Sequence, residues 1–159
     1  MRDLATIGVY GADLDRFLAA LRGAGVDLVL DVRERRGVRG SEYAWANAKR
    51  LEAELRNAGI VYQHVPELAP TTAMRQLQYE ADAARHEGKR SRTVLAPAYV
   101  ERYTEEILDR ADLDPLVRFI GRSTAALLCV ERDAVACHRS LIASRLARDH
   151  DFRIVNLRP

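Results

Sequence analysis

At 159 residues with 48% apolar content, the chain suits a single domain spanning residues 1–159, able to bury roughly two-thirds of its unfolded surface without staples. The longest uninterrupted apolar run, Ala125 to Val130, is too short for a membrane-spanning helix. The Met1 to Asp3 start lacks a signal-peptide layout, and two cysteines make no disulfide framework, so a reducing, cytoplasmic setting and no membrane partner are expected. A formal charge of +2 excludes the concentrated basicity that by itself marks a nucleic-acid binder.

In chain order, Ala5 to Tyr10 reads as a short buried strand ended by Gly11. Asp13 can then cap a helix carrying Leu14, Phe17, Leu18 and Leu21 on one face, stopped by Gly23 and Gly25. Val26 to Val32 is a second strand, apolar enough to be covered on both faces. An arginine- and glycine-rich loop, Arg33 to Gly40, precedes a helix repeating at Ala48, Leu51, Leu55 and Ala58. Gly59 closes it before a third strand, Ile60 to Val65. After a loop, Pro66 to Thr72, a helix is expected to turn Met74, Leu77, Ala81 and Ala84 inward. Glu87 to Thr93 reads as a polar, mobile connection. Pro97 opens a further helix with Tyr99, Val100, Tyr103, Ile107 and Leu108 inward, and Asp114-Pro115 breaks the chain before a short helical turn. Thr124 to Val130 is the clearest strand, followed by a helix over Ser140 to Asp149 and a last strand over Phe152 to Leu157.

Strands alternating with helices at this spacing predict an α/β fold: a three-layer, mostly parallel, Rossmann-like sheet of about five strands with helices on both faces. If the fourth strand pairs beside the first, the loops after Tyr10 and Val130 diverge and open a crevice at the carboxyl edge.

That edge carries the polar residues with chemistry: Tyr10 and Gly11 after the first strand, Asp31 and Arg33 at the second, His64 at the third, Cys129 and Glu131 at the fourth. Each has a plainer use. Cys129 reads first as a small core hydrophobe and His64 as a surface or packing histidine, while Asp31 reads equally as a partner for Arg33. Cys137, His138 and Arg139 enter the last helix, where free N–H groups and partial positive charge favour a thiolate. Cys137 is thus a candidate nucleophile, His138 a candidate proton carrier and Arg139 a candidate anion clamp. The alternative makes Cys137 a buried cap-region residue, with Arg139 paired to Asp31 or Glu131. A metal at Cys129, Glu131, Cys137 and His138 lacks ligand spacing, since adjacent Cys137 and His138 would need an awkward turn; a Cys129–Cys137 redox pair has no motif behind it either. Arg33, Arg35, Arg36 and Arg39, with Tyr43, Trp45, Lys49 and Arg50 following, could track phosphates while a ring stacks on a base, or form a solvated loop.

Thr6-Ile7-Gly8-Val9-Tyr10-Gly11, Leu30-Asp31-Val32-Arg33, Gly59 to His64 and, most specifically, Leu127-Leu128-Cys129-Val130-Glu131 with Cys137-His138-Arg139 resemble the domain of unknown function 488 family over nearly the whole chain. The resemblance implies a compact α/β fold with these polar motif residues as its site, and names no reaction. Two departures stand out: Glu34 to Ser41 replaces a proline–serine loop, and Leu68-Ala69-Pro70 replaces a glycine pair.

The resulting expectation is an enzyme acting on a phosphate-bearing substrate, a nucleotide or nucleic acid. Cys137, His138, Glu131 and Asp31 are the catalytic candidates; Tyr10, Gly11, Arg33, Cys129 and Arg139 are the substrate-binding ones. No cofactor or metal is called for. The rival is a non-catalytic nucleic-acid- or protein-binding module with a structural cysteine motif.

Overall fold

A computed structural model describes residues 1–159. Five strands, β1 (Arg2–Ile7), β2 (Leu28–Asp31), β3 (Val61–His64), β4 (Ala125–Leu128) and β5 (Phe152–Asn156), form one all-parallel sheet in the order β3-β2-β4-β1-β5. The helices are α1 (Leu14–Gly23), α2 (Ala48–Asn57), α3 (Thr72–Ala84), α4 (Pro97–Tyr103), α5 (Asp114–Ile120) and α6 (Arg139–His150). No helix is long and apolar enough to cross a membrane.

From β1 to β2 and from β2 to β3 the chain moves toward one edge of the sheet; from β3 to β4 and β4 to β5 it moves toward the other. Right-handed crossovers therefore put α1 and α2 on one face and α3 to α6 on the opposite one. Strands β2 and β4 are buried along their whole length, as expected between two helical layers. The fourth strand, whose place the sequence leaves open, pairs with both β1 and β2. Its end is consequently flanked on both sides by strands whose chains leave to the other face, which opens a crevice above it. The register fixes what emerges there: Leu128 is level with both Ile7 and Asp31, so Cys129 to Glu131 run out between Gly8 to Tyr10 and Val32-Arg33.

Local chemistry accounts for the helix ends. Asp13 caps α1 through a bond from the Arg16 N–H (2.8 Å), and Thr71 caps α3 through Met74 (3.2 Å). Asp114-Pro115, expected to break the chain, instead starts α5, with Pro115 in its first turn where no N–H is missed. Ile107 and Leu108 belong not to α4 but to a π-helical turn, Thr104–Leu108, that follows it. β1 ends at Ile7 rather than Tyr10, because the N–H groups of Val9 and Tyr10 both turn to the Val130 carbonyl (3.0 Å each).

Two faces differ from the pattern-based reading. Helix α3 buries Met74, Gln78 and Asp82, a stripe rotated from the expected Leu77, Ala81 and Ala84. The apolar pattern misleads there because the inward polar groups have inward partners: Gln78 accepts from the Ala96 N–H (2.9 Å) and donates to Asp82 (2.8 Å). Trp45 is no exposed stacking platform. It is 5% exposed and packs on Phe17 with ring centres 5.0 Å apart.

Candidate active site at the end of the central strand

Gly8 creates the space. A Cβ there would lie 1.9 Å from the Glu131 carbonyl oxygen, so only glycine lets the Glu131-Arg132 backbone cross the end of β1. The loop that follows is held from below by Arg139. That side chain is fully buried, donating to the carbonyls of Glu131 (2.7 Å) and Arg132 (3.2 Å). The expected anion clamp is thus a loop clamp, because these carbonyls, with no strand to pair with, take its donors.

Arg33 is likewise engaged with the protein. Its guanidinium donates to both Asp31 oxygens (2.9 and 2.8 Å) and to the Ala46 carbonyl (2.9 Å), while Tyr62 donates to Asp31 (2.5 Å). Asp31 is 0% exposed and lies behind Arg33; it positions that guanidinium at the cavity wall and does not itself line the cavity. His64 bonds the Arg33 carbonyl (2.7 Å) and lies in a separate groove beside Leu68 and Phe119. Gly11, a substrate-binding candidate, donates its N–H to the Tyr43 hydroxyl (3.0 Å).

Cys129, Glu131, Cys137 and His138 do converge. Cys137 is extended (φ −140°, ψ 148°) and His138 helical (φ −60°, ψ −20°), and this switch brings two consecutive side chains to one point. His138 Nε2 donates to the Val32 carbonyl (2.9 Å), which leaves Nδ1 facing the sulfurs of Cys137 (3.7 Å) and Cys129 (3.8 Å). The Cys129 thiol donates to Glu131 Oε2 (3.4 Å). Cys129, Cys137 and His138 are the one set with metal-ligand chemistry, each offering an atom within 4.8 Å of the others. As they stand, those atoms already face one another, His138 Nδ1 towards each sulfur, as hydrogen-bonding partners.

Burial opposes ionisation of Cys137, yet the Cys129 thiol, His138 and Arg139 outweigh it and hold Cys137 well below the ordinary thiol range. The hydrogen bond to Cys137, then burial, drives Cys129 well above that range. One proton is in effect kept on Cys129. Burial, then the negative charge of Cys137, lifts Glu131 from 4.5 to about 7. His138 is raised despite its burial, through the charge of Cys137 and the bond to it.

Arg92, from the connection expected to be mobile, completes the floor. It is 8% exposed and bonds Asp82 (3.0 Å), Glu131 (3.4 Å) and the Ala136 carbonyl (3.1 Å). No sequence signal distinguished it from the neighbouring exposed Arg90. Asp82 and Gln78 had one, as polar residues spaced four apart from Met74 on the same helical stripe.

These groups floor an inner cavity of about 60 Å³ that also reaches Arg33, Tyr99 and Pro70. It shares Arg35, Arg75, Tyr79, Lys89 and Val130 with an outer basin of about 640 Å³. From the Arg33 to Gly40 loop, Arg35, Gly37, Val38 and Arg39 line that basin. Tyr10 also lines it, set edge-on to Tyr43 at 5.4 Å, with the Arg90 guanidinium 5.1 and 5.2 Å from the two rings. Glu34 pairs with Arg75 and Glu42 with Arg90, whereas Arg35, Arg39 and Lys89 have no carboxylate partner.

The sequence pattern of the family described as Domain of unknown function DUF488 matches residues 13–146. The chain belongs to that family. No curated protein and no solved structure matches it. The DUF488 match takes in every helix start and β2 to β4, with Cys129, Glu131, Cys137, His138 and Arg139, while Gly8 and Tyr10 precede it. Of the two departures from the usual DUF488 pattern, the Glu34 to Ser41 loop supplies basin residues, and Leu68-Ala69-Pro70 brings Pro70 to the inner wall.

Proposed function

We propose that the protein is a thiol-dependent enzyme acting on a phosphate-bearing substrate, a nucleotide or nucleic acid. The observation that carries this reading is the nesting of the two spaces: a small floor with Cys137 and Glu131 opens into a basin with cations that lack carboxylate partners. The basin has the volume of a ligand site, and the floor admits one small group. Phosphate oxygens sit against Arg35 and Lys89, and the reacting centre reaches inward.

There the Cys137 thiolate attacks the electrophilic centre and forms a covalent sulfur-linked intermediate. The leaving group departs with the proton of the Glu131 carboxyl. Water then gives a proton back to Glu131 and its hydroxide to the intermediate, which releases the Cys137 thiolate. His138 balances the thiolate charge throughout, and Arg139 keeps the Glu131 loop in place.

The test is a panel of nucleoside mono-, di- and triphosphates and short oligonucleotides, followed by mass spectrometry. Turnover by the native protein that is lost in Cys137→Ser supports the reading. No turnover of any member, or equal turnover by the variant, overturns it.

One observation favours the rival binding module: both Arg33 and Arg139 are committed to the protein itself. That reading predicts binding whose salt dependence falls when Arg35, Arg36 and Arg39 are neutralised, with no effect of Cys137→Ser.

A further inference from the structure

The proposed reaction uses Cys137 and leaves a second sulfur beside it idle. Cys129 is buried at the end of β4, within 4.8 Å of both the Cys137 sulfur and the His138 ring nitrogen. Its sulfur also lies 3.4 Å from Glu131 Oε2, so its proton has an acceptor on either side, the Cys137 sulfur and the carboxylate. Two sulfurs this close, one favoured as thiolate and the other held as thiol, are the components of a redox pair. A disulfide bond is about 2.05 Å long, so closing it asks for rotation of the two cysteine side chains and a shift of the loop that carries Cys137 rather than a rearranged sheet.

We propose that Cys137 is a site of reversible oxidation by hydrogen peroxide and that Cys129 is its resolving thiol. The Cys137 thiolate attacks one peroxide oxygen and the O–O bond breaks; the sulfur is oxidised to sulfenic acid, and the expelled hydroxide leaves as water with the proton of the His138 imidazolium. Cys129 then passes its proton to Glu131 and attacks the Cys137 sulfur. The S–O bond breaks, Glu131 returns the proton to the departing hydroxide, and a disulfide and a second water remain. The inner cavity selects the oxidant. At about 60 Å³ it has the room of about two waters, enough for peroxide and far too little for a peptide disulfide such as oxidised glutathione. This inference goes beyond the phosphate-substrate reading and shares with it only the ionised Cys137.

The native protein is treated with hydrogen peroxide or with oxidised glutathione, then denatured for thiol counting and intact mass. Peroxide is expected to take the chain from two free thiols to none with the loss of two hydrogens, reversed by dithiothreitol, while oxidised glutathione leaves both thiols. In Cys129→Ser, shown by near-ultraviolet dichroism to be folded before peroxide is added, dimedone present during the later denaturation is expected to trap the Cys137 sulfenic acid. Retention of both thiols in peroxide, or direct passage of Cys137 to sulfinic acid without a disulfide, overturns the proposal, as does equal oxidation by glutathione disulfide. A Cys137 that alkylates as a thiolate yet never bonds Cys129 overturns this inference alone; one that does neither sinks the thiolate on which both rest.

Discussion

Replacing Glu131 with glutamine separates stability from chemistry at this site. In the folded chain the Glu131 carboxyl is raised from 4.5 to about 7, so the folded state holds that proton more tightly than the unfolded one does. The stability this group allows is full below about pH 4.5 and is lost as pH rises through about 7. The corresponding penalty for ionising it in place is about 3 kcal/mol, with the Arg92 contact at 3.4 Å already acting against it. Glu131→Gln keeps the shape and the acceptor for Cys129 but never ionises. It should therefore match the native protein near pH 4.5 and exceed it by up to about 3 kcal/mol at pH 8, a rise of about 6–12 °C in Tm for a chain of this size. Urea unfolding from pH 4.5 to 8 measures the difference, to which Cys137 contributes little because it titrates in both proteins. Turnover should be lost in the same variant, since amide nitrogen cannot stand in for the acid. Parallel stability profiles for the two proteins across that range would refute the burial argument.

Three further outcomes follow from the packing. Gly8→Ala should cost more than about 3 kcal/mol, because its Cβ meets the Glu131 carbonyl at 1.9 Å and backbone must move; an unchanged Tm would show that the loop is not pressed on β1. Arg92→Met should cost about 3–5 kcal/mol by leaving buried Asp82 and Glu131 without their cation, and Asp82→Leu added to it should restore a good part in a double-mutant cycle; a loss under about 0.5 kcal/mol would contradict the network. Arg35→Gln with Lys89→Gln should leave the urea midpoint alone and lower the salt slope of single-stranded DNA binding by about 1.4. An unaltered slope would place the phosphates elsewhere.

Much of this arrangement was legible in the sequence, for identifiable reasons. Strands β2 and β4 are continuous apolar runs because both faces are covered, and Asp13 and Gly59 punctuate their helices by well-understood rules of capping and turn geometry. The convergence of Cys129, Glu131, Cys137 and His138 was also within reach, since the β4–α6 connection is short. Long-range partnership was not. Whether Arg139 meets an anion or the Glu131 carbonyl depends on a loop path set by Gly8, more than a hundred positions away. Helix α3 was misread because polarity is a poor guide when Gln78 and Asp82 are buried with partners from Arg92 and Ala96. Arg33 shows the same limit: its charge pointed to a ligand, and its neighbour Asp31 takes most of its donors.

The account stands on an ionised sulfur at Cys137. The rate of alkylation of the native protein by iodoacetamide, followed against pH with the modified residue identified by peptide mass, reads that ionisation directly. Cys137 should react first and hold its rate down to a pH well below the ordinary thiol range, with Cys129 lagging throughout. A rate that rises only through the range of a free cysteine, or modification of Cys129 ahead of Cys137, would contradict it.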